Sequence, residues 1–88
     1  MADTDKAKIA MMIAVSKALD YKKGKPGADA EEIFQHIMKE LPARGFAKAA
    51  AIAAVDKALY YRDVENAKDR DILQRIMNEV DAIIGNIE

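Results

Sequence analysis

Glu32, His36 and Glu40 follow one another at four-residue spacing, which on a helix sets them in one row. Two carboxylates and an imidazole are donors that hold a transition metal. A di-metal centre in a helical bundle needs more, a Glu-x-x-His pair on each of two helices with further carboxylates beside them. His36 is the only histidine, and the residue matching it in the second half of the chain is Arg75. The row also lies away from Ile33 and Ile37 on the helix, so it reads as a solvated face. No metal and no other cofactor is assigned.

Covalent and acid–base chemistry finds few candidates. The chain has no cysteine, one serine (Ser16) and one threonine (Thr4), so nothing pairs a nucleophile with a base at an informative spacing. Asp69 and Asp71 stand two apart, where helical side chains diverge. The sequence therefore points away from an enzyme, and no catalytic residue is assigned.

Two other groups carry binding chemistry. Tyr21, Lys22, Lys23 and Lys25 close the first helical stretch, and Tyr60, Tyr61, Arg62 and Lys68 close the third. If those helices run parallel, the eight residues meet at one end as a candidate nucleic-acid or anion patch, the rings stacking on bases and the cations neutralising phosphates. The same residues have a structural use, since cations complement a helix C-terminus and tyrosines cover the end of a core. Asp20, Asp63 and Glu65 dilute the positive field. The second group is Ile9 and Ile13, large apolar residues beside Ser16 and Asp20 where the second half has Ala49 and Ala53. They are the candidate partner surface, with cover for a long fourth helix as the alternative use.

These residues are positioned by elements that occur twice. Ala7 to Tyr21 aligns with Ala47 to Tyr61 at an offset of 40, with identity at nine of 15 positions, and Ile33 to Leu41 aligns with Ile72 to Val80 at an offset of 39. A loop must absorb the one-residue slip. Asp3 to about Lys23 reads as the first helix, with Asp3 or Thr4 as its cap and Met11, Met12, Ala14, Val15, Ala18 and Leu19 on one face. Gly24-Lys25-Pro26-Gly27 ends it. Asp29, with Glu32 three residues on, opens a second helix in the manner of a capping box, and Pro42 stops it near Glu40 or Leu41.

A turn at Pro42 to Gly45 leads to a third helix, about Phe46 to Arg62, whose alanine-rich face lets the first helix approach closely. No Gly or Pro stands between Phe46 and Ile84, yet the repeat predicts a break near Asp63 to Asn66, with Asn66 as cap and Asp69 at the third helical position. The fourth helix carries Ile72, Leu73, Ile76, Val80, Ile83 and Ile84, and Gly85 is its expected stop.

Eighty-eight residues, 51% hydrophobic and 33% charged, make one domain of ordinary globular composition. Lys and Arg number 14 against 15 Asp and Glu, a net charge of −1, so the global basic field that draws nucleic acid or membranes is absent. Lys6 and Lys8 before the apolar run Ile9 to Val15 faintly resemble a signal peptide, but Asp3, Asp5 and Lys17 break the pattern and the run recurs mid-chain. The expected compartment is the cytoplasm, with no membrane partner.

The fold expected is all-α, an up-and-down four-helix bundle built from two tandem repeated hairpins, about 3–42 and 46–87, related by a pseudo-twofold axis. Its expected role is a small non-enzymatic interaction or structural module acting through protein contacts, self-association as a homodimer included. The alternative is a nucleic-acid-binding accessory using the Tyr/Lys/Arg end.

Overall fold

The computed structural model describes residues 3–41 and 44–87, and the side chains of 5–41 and 44–87. Four helices account for most of them: α1 (Asp3–Gly24), α2 (Ala30–Glu40), α3 (Gly45–Asp63) and α4 (Asp69–Ile87), with no strand among the described residues. The cap expected from Asp3 or Thr4 and the Pro42–Ala43 part of the second turn lie outside the side chains and residues described.

The helix ends follow local chemistry. Asp29 sits in extended backbone, and its Oδ1 accepts the Glu32 amide at 2.8 Å, so α2 begins where the sequence predicts. Glu32 does not return the bond as a capping box would, because its carboxylate instead accepts from Tyr21 and Lys25. Gly45 opens α3 at φ +57°, a left-handed conformation that a side chain resists.

The break between α3 and α4 falls at Val64 to Lys68, with two differences from expectation. Asn66 is not the cap: it takes φ +55°, which lets the Ala67 amide turn back to the Tyr61 carbonyl at 3.0 Å. Asp69 is the first helical residue, not the third, because the Lys68 carbonyl already accepts the Ile72 amide at 2.9 Å. Gly85 does not stop α4 either. The helix runs on to Ile87, which packs on the core in the same row as the buried Ile83 and Ile84, and that contact outweighs the poor helix propensity of one glycine.

Small residues decide how the helices assemble. Ala7, Ala14 and Ala18 of α1 and Ala50, Ala51, Ala54 and Ala58 of α3 are fully buried, so the two backbones approach closely and share the most extensive interface in the molecule. Next to it, α4 packs on both α3 and α1, while the shorter α2 rests on α1 and touches α3 only slightly. Helices α2 and α4 do not meet. The section is thus a rhombus with α1 and α3 on its short diagonal.

Ion pairs fix the directions. Lys22 near the end of α1 lies 4.0 Å from Asp63 at the end of α3, so these two run parallel. Lys17 meets Glu40 at 3.4 Å, Lys57 meets Glu79 at 3.8 Å and Lys8 meets Asp81 at 2.8 Å, which sets α2 and α4 antiparallel to them. Between the four lie Met11, Val15, Leu19, Ile33, Ile37, Val55, Ile72 and Ile76, each at most 2% exposed. Every such side chain contributes about 1.5–3 kcal/mol by leaving water. Among the described residues no helix is long and apolar enough to cross a membrane.

Candidate interaction surfaces

Parallel α1 and α3 do bring the basic and aromatic residues to one end, where most are already engaged by acidic side chains or by a backbone carbonyl. The Tyr21 hydroxyl donates to Glu32 at 2.6 Å, its ring lies 4.4 Å from that of His36, and Lys25 pairs with the same Glu32 carboxylate. Lys22 donates to the Ala28 carbonyl at 2.7 Å, and Arg62 pairs with its neighbour Asp63 at 3.2 Å. Tyr61 is buried: its hydroxyl donates to Glu79 at 2.7 Å, and the Arg75 guanidinium, paired with Glu65, stands 3.7 Å from its ring centroid. Of the eight candidates, Tyr60 is 54% exposed, and Lys23 and Lys68 are exposed with no ion pair among the described residues.

Proton affinities follow these contacts. The hydrogen bond from Lys25 first, then that from Tyr21, holds the Glu32 carboxyl below its ordinary value of 4.5, against the opposing effect of desolvation. The same carboxylate pushes the Tyr21 phenol up, and Glu79 does so for Tyr61. The network joins helices and leaves little net positive field at the end of the bundle.

The Glu32, His36 and Glu40 row remains partly in water, as its position away from Ile33 and Ile37 implied, but it also lines the flank of α2 that meets α1. Glu32 meets Tyr21, His36 stacks on Tyr21 and lies 3.4 Å from Glu40, and Glu40 meets Lys17. The reason is the narrow section of the bundle, in which the flank of a short helix still reaches its neighbour. Among the described residues no three His, Asp or Glu side chains converge as a metal site needs.

Ile9 and Ile13 stand on the outer face of α1, 52% and 39% exposed. Neither is among the apolar residues packed on the core, which include Ile83, Ile84 and Ile87 of α4. One turn apart, the two isoleucines form a ridge, and a shallow hollow lined by Met12, Ile13, Ser16, Lys17 and Asp20 continues it toward the C-terminus of α1.

A second feature has no counterpart in the sequence reading. Where α2 and α3 barely touch, a shallow, open cleft of about 470 Å³ forms, with Phe34, Met38 and Ile52 on its floor, Glu31 and Gln35 on the α2 side and Lys48 on the α3 side. Phe34 stands with Ile33 and Ile37 on the apolar stripe of α2 and Ile52 stands beside Ala51 and Val55 on α3, yet both are only partly buried. Nothing in the spacing of these residues tells a filled seam from an open one. Met38 lines the cleft, whereas Met11 fills the core.

Comparison with family models, curated proteins and solved structures finds no match to this chain. What the residues themselves define is an all-α, four-helix protein with an exposed apolar ridge and an apolar cleft.

Proposed function

We propose that this chain is a non-enzymatic interaction module that binds other protein through the outer face of α1. The observation that carries the reading is the exposure of Ile9 and Ile13 in a molecule whose Ile33, Ile37, Ile72 and Ile76 are at most 1% exposed. Large apolar residues standing together in water mark a contact surface more often than singly scattered ones do. The test is affinity capture of the tagged chain from lysate of its source, with and without nuclease, beside the variant carrying Ile9→Asp and Ile13→Asp. The expected result is a protein retained by the wild type after nuclease and lost by the folded variant. Unfolding of the variant would return both residues to the core and end this reading.

We infer in the same way that the bundle is two tandem hairpins about a pseudo-twofold axis. Two corresponding contacts support it: Lys17 with Glu40 and Lys57 with Glu79, the second pair standing 40 and 39 positions after the first. The rings of Tyr21 and Tyr61 are likewise met by His36 and Arg75, residues 39 apart.

The alternative, a nucleic-acid-binding accessory, draws support from the exposed Tyr60, Lys23 and Lys68 at the end of the bundle where α1 and α3 finish. It is the weaker reading because acidic partners already occupy Lys22, Lys25, Arg62 and Arg75. Its signature is RNA recovered in the capture, released by salt and lost on Tyr60→Ala with Lys23→Glu.

A further inference from the structure

Helices α2 and α4, which align in sequence, are held unequally by the rest of the molecule. Helix α4 is 19 residues long, packs on both α1 and α3, and buries Ile72, Ile76, Ile83 and Ile84. Helix α2 is 11 residues long, rests on α1, barely touches α3 and fully buries only Ile33 and Ile37. Phe34 and Met38 beside them line the open cleft and are only partly buried. The polar ties of α2 are equally one-sided. Glu32 accepts from Tyr21 and Lys25, and Glu40 meets Lys17, so each tie comes from α1 or the turn that follows it; among the described residues none comes from α3.

We propose that α2 opens as a unit from a core of α1, α3 and α4 that stays folded while it is away. This holds whether or not the ridge on α1 binds a partner. Segments with few buried apolar contacts are the ones that open below the free energy of global unfolding. Non-helical backbone brackets α2, with Asp29 before it at ψ 172° and Leu41 after it at ψ 87°, so no neighbouring helix has to unwind with it. What remains keeps the most extensive interface in the molecule, the alanine seam of α1 and α3, with α4 packed on both. The exposed ion pairs that tie α2 down are screened by water and hold it weakly. Once released, a helix of 11 residues is too short to sustain itself in water, so α2 melts as it leaves. Opening bares the Ile33 and Ile37 stripe, an apolar face that the closed molecule hides.

The test is native-state hydrogen exchange of the full chain, read amide by amide by NMR in urea below the unfolding midpoint. The amides from Ile33, bonded to the Asp29 carbonyl, to Leu41, bonded to that of Ile37, report on α2. After correction for intrinsic rates they should exchange at least about 100-fold faster than the slowest amides of α1, α3 and α4, because opening bares two fully buried isoleucines where global unfolding bares the whole core. Urea should accelerate the α2 amides only slightly and the slowest amides steeply, in proportion to the surface each event exposes. Asn66→Ile gives an independent reading. It strains the φ +55° turn between α3 and α4, which the open form retains, so the slowest amides should exchange roughly 5- to 30-fold faster while α2 keeps its wild-type rates.

Wild-type α2 amides that share the rates and the urea dependence of the slowest amides would make the bundle one cooperative unit and overturn the proposal. So would Asn66→Ile speeding α2 by the same factor as the other helices, since α2 would then open only when everything does. Equally fast exchange in α2 and α4 also overturns it, because the unequal hold on the two helices would decide nothing.

Discussion

Glu32 links three parts of the molecule, since its carboxylate accepts from Tyr21 of α1 and Lys25 of the first turn while its own amide is capped by Asp29. Because those donors hold its folded pKa below 4.5, the folded state prefers the ionised carboxyl, and the stabilisation is present above that value and lost as pH falls through the folded one. Glu32→Gln should therefore lower Tm at pH 7, and the gap from wild type should shrink at pH 3, as thermal unfolding at the two values will read. An equal gap at both would mean that charge on Glu32 contributes nothing. The exposed ion pairs around it are screened by water and add little stability. His36 and Arg75 were visible as matching positions in the sequence, but not the rings that they cover, because Tyr21 and Tyr61 reach them only across the α1–α2 and α3–α4 seams.

At the scale of elements, caps and close contacts separate cleanly. Asp29→Ala removes the acceptor of the Glu32 amide and should cost about 1 kcal/mol in denaturant unfolding. Asn66 acts by its backbone: Asn66→Gly should be neutral or slightly stabilising, whereas Asn66→Ile, which resists φ +55°, should cost about 1–2 kcal/mol. If both were neutral, the turn before α4 would not depend on left-handed geometry. Between α1 and α3 the sensitive variable is volume. Ala54 is fully buried on the closest seam, so Ala54→Leu should destabilise by about 1–3 kcal/mol through overpacking. Such an effect distinguishes a tight α1–α3 seam from the loose one between α2 and α3, where Phe34 and Ile52 retain exposure.

Taken whole, the bundle has a radius of gyration of 12.0 Å, matching the about 12 Å expected for a compact chain of this length. Its core runs through both halves: Met11, Val15 and Leu19 of α1 are buried together with Val55, Ile72 and Ile76 of α3 and α4. Neither half covers its own apolar face, so a fragment ending at Pro42 should be unfolded or dimeric by circular dichroism and sedimentation; a folded monomeric half would contradict this. The sequence by itself determined the four helices, the buried faces of α1 and α3, the Asp29 cap and the break before α4, because spacing and turn chemistry are local. It also singled out Ile9 and Ile13, since a residue that fits neither face of a helix is visible as a misfit. Only the tertiary structure decided that these two stand in water, that the Glu32, His36 and Glu40 row meets α1, that α4 passes through Gly85, and that a cleft separates α2 from α3. Each of those depends on how far apart the helices settle. Alanines on α1 and α3 draw that pair together, and the short α2 is left resting on α1 with its far flank open.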